Sequence, residues 1–291
     1  MEIKIKAPAK INLALDIKEK RNDGYHNVEM VMQSIDLYDV ITIKEACHND
    51  IEVNVSKDLN VDKKSNIAYK AAAAFFNHSK IQNKGIDIYI EKNIPIAAGL
   101  AGGSTDAAGV LVGLNKMFNT SYTNEELASI GAMIGADVPF CIFGGTMLAT
   151  GTGTDLENLS PCPSCYFVLT KPNLSVSTKE AYALVDKVEF IDYKSVNSVI
   201  DTLNSADIDL LSKAVFNRFT QVIDFEEYEH IKKTAYESGA LTSCMSGSGP
   251  TVFSIFKNLD YAKECINNLR KKYNEVFLCT PTKFGCQIID N

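Results

Sequence analysis

The sequence has no uninterrupted apolar stretch near the ~18 residues that a membrane-crossing helix needs. Its opening, Met1-Glu2-Ile3-Lys4-Ile5-Lys6, has no apolar segment of the kind a secretory leader carries. Neither a span nor a leader is expected. Positive charge is not in excess either: 29 Lys and Arg against 36 Asp and Glu give a net charge of −7. That balance argues against a nucleic-acid groove or a face drawn to anionic lipid. There is no internal repeat and no low-complexity tract. The cysteines, at 47, 141, 162, 165, 244, 265, 279 and 286, are too scattered to staple a small scaffold. Cys162-Pro-Ser-Cys165 has no second pair and no nearby histidine, so zinc or redox work is not expected of it. Reduced thiols in a cytoplasmic setting are.

What is present is enough apolar material, 46% of 291 residues, to build one large domain or two modest ones. The Pro- and Ser-rich stretch from Pro161 to Ser164 reads as a boundary, giving domains 1–160 and 161–291. The first half opens with short strands at 3–6 and 13–17, interrupted between Ala7 and Leu13, then a turn at Asn22-Asp23-Gly24 and further β material at 31–38 and 40–44. Ser65 opens a helix to Phe76, and Gly85 to Glu91 alternates as a half-buried strand does. A helix follows over 107–117, and the capping box Thr123-Asn-Glu-Glu126 opens another. Phe140 to Ala149 reads as one buried strand with a glycine kink, and Gly151 to Asp155 as a hairpin tip. In the second half, strands are expected at 166–169, 276–279 and 284–289. Helices are expected at 177–187, 194–204, 207–217, 226–237 and 259–272.

The chain is organised around Pro95-Ile96-Ala97-Ala98-Gly99-Leu100-Ala101-Gly102-Gly103-Ser104-Thr105, a small-residue loop between a strand and a helix. Glycine and alanine let another group approach the backbone closely, and the helix start beyond offers unpaired N–H groups at the positive end of its dipole. That geometry suits phosphate. No lysine follows Gly103, which excludes the G-x-x-x-x-G-K-[ST] form, and the spacing is not G-x-G-x-x-G. Four other features have two readings each. Lys10 is a surface lysine whose stem covers apolar atoms, or a charge partner. Asp137 bonds its own turn, or accepts a hydroxyl proton. Tyr25 and His26 are strand-edge residues, or a ring and a nitrogen for a base. The loop Met245-Ser246-Gly247-Ser248-Gly249-Pro250 is a tight turn, or a second wall of the same site.

Pro8-Ala9-Lys10-Ile11-Asn12-Leu13, Pro95-x-x-x-Gly99-Leu100-x-Gly102-Gly103-Ser104 and Ser246-Gly247-Ser248-Gly249-Pro250 resemble, in order and separation, the three motifs of the GHMP small-molecule kinases. The resemblance covers essentially the whole chain. Arg21-x-Asp23-Gly24-Tyr25-His26, Gly135-Ala136-Asp137-Val138-Pro139 and Lys171-Pro172-x-x-x-Val176-Ser177-Thr178 are similar to the branch that phosphorylates a cytidine diphosphate polyol, at the C2 hydroxyl of 4-(cytidine 5'-diphospho)-2-C-methyl-D-erythritol, in the non-mevalonate route to isoprenoid precursors.

The resemblance implies an α+β fold, with an N-terminal domain like ribosomal protein S5 domain 2 and a ferredoxin-like C-terminal domain. It implies Asp137 as base and Lys10 as its partner, with Asn12 on the erythritol arm. Tyr25, His26, Thr178 and Tyr182 would surround cytosine, and Ser246 and Gly247 would support the cleft. Residues 95–105 would wrap the phosphates of ATP with its Mg2+, and Asn66 and Lys92 would sit near adenine. Ala98 and Ala101 stand where the most glycine-rich loops have glycine, Thr105 replaces a serine, and Asp106 is the one acidic candidate for the metal in the loop helix. The expected partners are these small molecules, and the sequence sets no oligomeric state. The alternatives are a mevalonate-, homoserine- or sugar-type kinase, disfavoured because a small acceptor needs no stacking ring, and a non-catalytic nucleotide-binding protein, disfavoured because Lys10 and Asp137 are both present.

Overall fold

The computed structural model describes residues 1–57, 62–82, 85–190 and 194–289. The N-terminal sheet grows from a long antiparallel ribbon of β1 (Glu2–Lys20) and β2 (His26–Glu45), joined by the expected turn. The interruption expected between Ala7 and Leu13 is not a break. The strand runs through it with register shifts between Pro8 and Lys10, Asn12 and Ala14, and Ile17 and Lys20. Such irregularities bend a strand and re-aim its side chains. From Ala7 to Ile17 every residue of β1 is buried, so the alternation that marks a one-sided strand disappears.

β3 (Ile51–Val55) runs parallel to β4 (Ile86–Glu91), which pairs antiparallel with one end of β2. The other end of β2 carries the hairpin of β5 (Thr146–Thr150) and β6 (Asp155–Asn158). Helices α1 (Ile67–Ser79), α2 (Gly102–Phe118), α3 (Asn124–Ala132) and α4 (Val138–Phe143) pack with this sheet, around Ile5, Ile41, Ile43, Phe75 and Leu111. The capping box that starts α3 makes both of its reciprocal bonds. α2 lies close on the sheet because Gly109 has no side chain there. A Cβ at Gly109 would meet Ile41 Cδ1 at 2.4 Å. Residues 140–149, expected as one strand, divide at Gly144-Gly145 into the end of α4 and β5. A short apolar run does not distinguish helix from strand, and Pro139 in the first turn suits a helix start.

The second sheet contains β7 (Tyr166–Lys171), β9 (Thr242–Met245), β10 (Val252–Phe256) and β11 (Glu275–Cys279), in the antiparallel order β11-β7-β10-β9. With α8 (Glu226–Glu237) and α9 (Leu259–Leu269) packed against its strands, this is the ferredoxin-like arrangement expected. Helices α5 (Thr178–Val185), α6 (Val196–Ser205) and α7 (Ile208–Ala214) lie between β7 and α8 in the chain. Two later segments return to the first sheet. β8 (Phe216–Asn217) pairs parallel with β1, and β12 (Gln287–Ile289) pairs with the other end of β1. A buried ion pair fastens the junction, with Arg218 Nε 2.6 Å from Asp16 Oδ1. Among the described residues no helix is long and apolar enough to cross a membrane.

Candidate active site

The small-residue loop leaves β4 and enters α2. Asp39, from β2, pins its start by accepting from the amides of Asn93 at 2.6 Å and Ile94 at 2.8 Å. Ala97, Gly99 and Ala101 all have positive φ, at 52°, 72° and 58°. The loop therefore keeps its curl at two alanines, at a cost of about 1–2 kcal/mol each. Ala101 is the residue before α2 and gives no side-chain cap, so the first amides of the helix stay open. They border a cavity of about 400 Å³ lined by Asn66, Lys92, Asp106 and residues 95–103. Uncapped amides at a helix start are groups that can donate to an anion.

Not every expected residue faces that cavity. Thr105 is fully buried: its amide closes the first helical bond to Ala101, and its hydroxyl lies 3.7 Å from Cys286 Sγ, so it borders neither cavity. Asn66 borders it while its side chain caps α1, accepting from the Ala68 amide at 2.9 Å. Lys92 also borders it, with its ammonium bonded to Asp39 and, at 2.6 Å, to Asp106. Burial would lower the Lys92 pKa, but Asp106 and Asp39 outweigh it and hold the pKa above its ordinary value. Burial raises the Asp106 carboxyl.

A second cavity, of about 650 Å³, lies across the loop. Gly99 and Ala101 border both cavities, so the loop is their common wall. Ser104 faces the larger one, as do Lys10 and Asp137. Lys10 follows the first irregularity of β1, and its amide donates to Leu100 O at 3.2 Å, which ties the strand to the loop. It is 4% exposed, which removes the surface-lysine reading. Its Nζ is 2.7 Å from Asn12 Oδ1 and 3.7 Å from Asp137 Oδ2. Asp137 precedes α4 without capping it, which leaves its carboxylate to the cleft. Asn12, expected on the acceptor's polyol arm, is fully buried between Lys10 and Met30 Sδ and borders neither cavity. It steadies the lysine instead.

The second glycine loop joins β9 to β10 and meets the first. Ser246 Oγ donates to Gly99 O at 3.0 Å, so its side chain binds loop to loop, while Gly247 faces the larger cavity. Asn217 holds this loop by donating to the carbonyls of Met245 at 2.8 Å and Gly247 at 2.7 Å. Ser248 and Thr178 hydroxyls bond at 2.9 Å on the same wall.

At the far end of the larger cavity Tyr25 is 68% exposed on the hairpin tip. His26 is buried and stacks on Tyr182 with centroids 5.0 Å apart and planes 17° off parallel. Its Nε2 lies 2.8 Å from Asp186 Oδ1, and Lys20 bonds the other oxygen of that carboxylate. Lys20 and His26 together hold the Asp186 carboxyl below its ordinary value. Burial pushes the Tyr182 hydroxyl up to about 12. Asp39, Asp186 and Asn217 were not expected from the sequence. Asp39 and Asn217 act through main-chain groups far along the chain, and no local pattern marks such contacts.

Residues 66–145 match the family described as GHMP kinases N terminal domain, and residues 199–275 match GHMP kinases C terminal. The chain is 46% identical over 282 residues to 4-diphosphocytidyl-2-C-methyl-D-erythritol kinase of Clostridium tetani (strain Massachusetts / E88), across 95% of this chain and 99% of that one. It is 44% identical to the protein of that name from Clostridioides difficile (strain 630), across 98% and 97%. The crystal structure of a 4-(cytidine 5'-diphospho)-2C-methyl-D-erythritol kinase superposes with a TM-score of 0.80 at 28% identity, over 97% of this chain and 99% of that one. A homoserine kinase from Cytophaga hutchinsonii shares the fold, with a TM-score of 0.77 at 18% identity over 99% and 97%.

Proposed function

The chain belongs to the GHMP kinase family, and we propose on that premise that it transfers the terminal phosphoryl group of ATP to the C2 hydroxyl of 4-(cytidine 5'-diphospho)-2-C-methyl-D-erythritol, giving the 2-phosphate. The full-length relatives carry the name of that activity. The observation that carries the reading to this chain's own residues is the shared wall. One face of the glycine loop borders a cavity with open helix amides, and the other borders the Lys10–Asp137 pair. A phosphoryl group held on the loop has only that wall to pass to reach an acceptor. The step belongs to the non-mevalonate route to isoprenoid precursors, and the free thiols of all eight cysteines suit a cytoplasmic enzyme.

In this reading the α2 amides hold the nucleotide phosphates, and Asn66 and Lys92 border the adenine end. The acceptor lies in the larger cavity with its cytosine near Tyr25, His26 and Tyr182. Asp137 takes the proton of the C2 hydroxyl as the oxygen attacks. The Lys10 Nζ, fixed by Asn12 and 3.7 Å from Asp137, balances the charge growing on the oxygen. Most of the acceleration comes from holding the two oxygens in line, as is general for phosphoryl transfer.

Magnesium would neutralise charge on the nucleotide phosphates. Among the described residues no cluster of three acidic, histidine or cysteine side chains exists to cage a metal. The donors fit a cation that keeps most of its ligands from phosphate and water. Asp106 Oδ1, at the smaller cavity, is buried without a hydrogen-bond partner, and Ser104 borders the larger one. Of the two, Asp106 lies on the side of the loop where the nucleotide phosphates would sit, and it would hold the ion.

The test is turnover of ATP by the purified chain with the cytidine diphosphate polyol, the bare polyol, mevalonate and homoserine as separate acceptors. The reading predicts turnover with the first and little with the others. Equal or better turnover with an acceptor that has no cytidine would overturn it.

A further inference from the structure

Cytosine and uracil differ at one edge: cytosine presents an amine at C4 and a bare N3, uracil a carbonyl and an N3–H. A side chain that tells them apart must keep its donors and acceptors fixed. His26 faces the larger cavity, and an imidazole free to change tautomer can donate or accept at either nitrogen. Here it is not free. An ionised carboxylate only accepts, so the 2.8 Å contact with Asp186 Oδ1 puts the proton on His26 Nε2. Lys20 occupies the second carboxylate oxygen, and the Tyr182 ring limits how the imidazole can turn. No described residue bonds Nδ1.

We propose that Asp186 is a positioning residue for base specificity: it holds His26 in the Nε2–H tautomer, so that Nδ1 offers a lone pair to the exocyclic amine of cytosine and opposes the carbonyl of uracil. This rests on the cytidine reading above. The arrangement also spans the molecule. His26 and Lys20 flank the β1–β2 turn, whereas Asp186 is the residue that ends α5. The base end of the cavity is therefore assembled from two parts of the chain 160 residues apart.

The experiment compares binding of cytidine diphosphate and uridine diphosphate, by calorimetry, to the native chain, Asp186→Ala and Asp186→Glu. It is paired with nitrogen-15 spectra of the histidine rings in the absence of ligand. With only four histidines in the chain, the His26 signals can be assigned by substitution. A site built to bond a donor rejects an analogue that lacks it, and one lost bond of this kind is worth roughly 10- to 100-fold.

The native chain should prefer the cytidine nucleotide by about that factor. Asp186→Ala should lose most of the preference, and Asp186→Glu should recover part of it. In kinetics, Asp186→Ala should raise KM for the cytidine acceptor while KM for ATP and the rate at saturation stay near native, a split that a general loss of structure would not give. The His26 ring should change from one tautomer to a mixture. A preference that survives Asp186→Ala, or a ring that keeps its single tautomer without the carboxylate, overturns the proposal and leaves the kinase reading intact. A native chain with no preference between the two nucleotides overturns the cytosine assignment itself.

Discussion

The Ser246 hydroxyl donates to the Gly99 carbonyl at 3.0 Å and so joins the two glycine loops, 147 residues apart in sequence. Gly99 allows this for two reasons. Its φ is +72°, where a side chain is strained, and a Cβ there would sit 2.2 Å from the Ser246 carbonyl oxygen. Gly103, four residues on, has ordinary room, with the nearest atom to an added Cβ being Ile67 Cγ2 at 3.4 Å.

Gly99→Ala is therefore expected to separate the loops and weaken ATP and acceptor together, each by roughly tenfold or more, whereas Gly103→Ala stays within a few-fold of native. One carbon atom at either site costs 1–3 kcal/mol when it must push atoms aside and little when it need not. Dissociation constants for both ligands, measured on each variant, check the contrast. Equal tolerance at the two positions would mean that the loop contact does not shape the site.

Lys92 should matter for stability as well as for the nucleotide. Its ammonium lies between two buried carboxylates, Asp39 and Asp106. Lys92→Met keeps the apolar stem and removes the charge, leaving two acids facing each other out of water. Removing one partner of a buried pair costs about 3–5 kcal/mol, or about 6 °C or more in melting temperature at this size. ATP affinity should fall with it, because Asp39 also pins the first amides of the loop. Thermal melts of Lys92→Met and of the double variant Lys92→Met, Asp106→Asn check this, and the second change should restore part of the loss.

Which features the sequence revealed follows from where the physics is local. The capping box at Thr123 and the helix over 226–237 rest on contacts a few residues apart, so pattern and position agree with the structure, whereas the loop's helix starts at Gly102 rather than 107 and the helix expected to reach Lys272 ends at Leu269. β1 was harder. Its centre is covered on both faces and its register shifts three times, so neither periodicity nor Pro8 marked it as one strand. The apolar run at Phe140 carried no period that separates helix from strand. Asn12 and Thr105 sit beside true cavity residues in sequence, but the strand irregularities and the helix turn face them inward. The return of β12 to β1 depends on residues more than 280 positions apart, which no local pattern records.

The junction between the first sheet and the segment after α7 gives a pH prediction. Burial alone would raise the Asp16 carboxyl, but the bonds from Arg218 and Lys18 outweigh it and leave the group below its ordinary value of 3.8. A group depressed on folding adds stability above its unfolded pKa, and that stability is lost as pH falls through the folded value. Asp16→Ala is therefore expected to lose about 3–5 kcal/mol at neutral pH, and the gap from native should close progressively below about pH 4. Denaturant midpoints of both proteins from pH 7 to pH 3 check it. A gap that is constant across that range would remove the ion pair as its cause.

The central claim is chemical: Asp137 accepts the hydroxyl proton, with Lys10 3.7 Å away as its charge partner. The most direct measurement is single-turnover phosphoryl transfer by Asp137→Asn, Lys10→Met and the double variant, with ATP and acceptor affinities measured beside it. A placed base contributes ~10²–10⁴ in rate, so each single variant should slow by about that factor while both ligands still bind. The double variant should be little slower than the worse single one, because the two groups act as a unit. Transfer by Asp137→Asn within tenfold of native, or a loss confined to ATP affinity, would contradict the account.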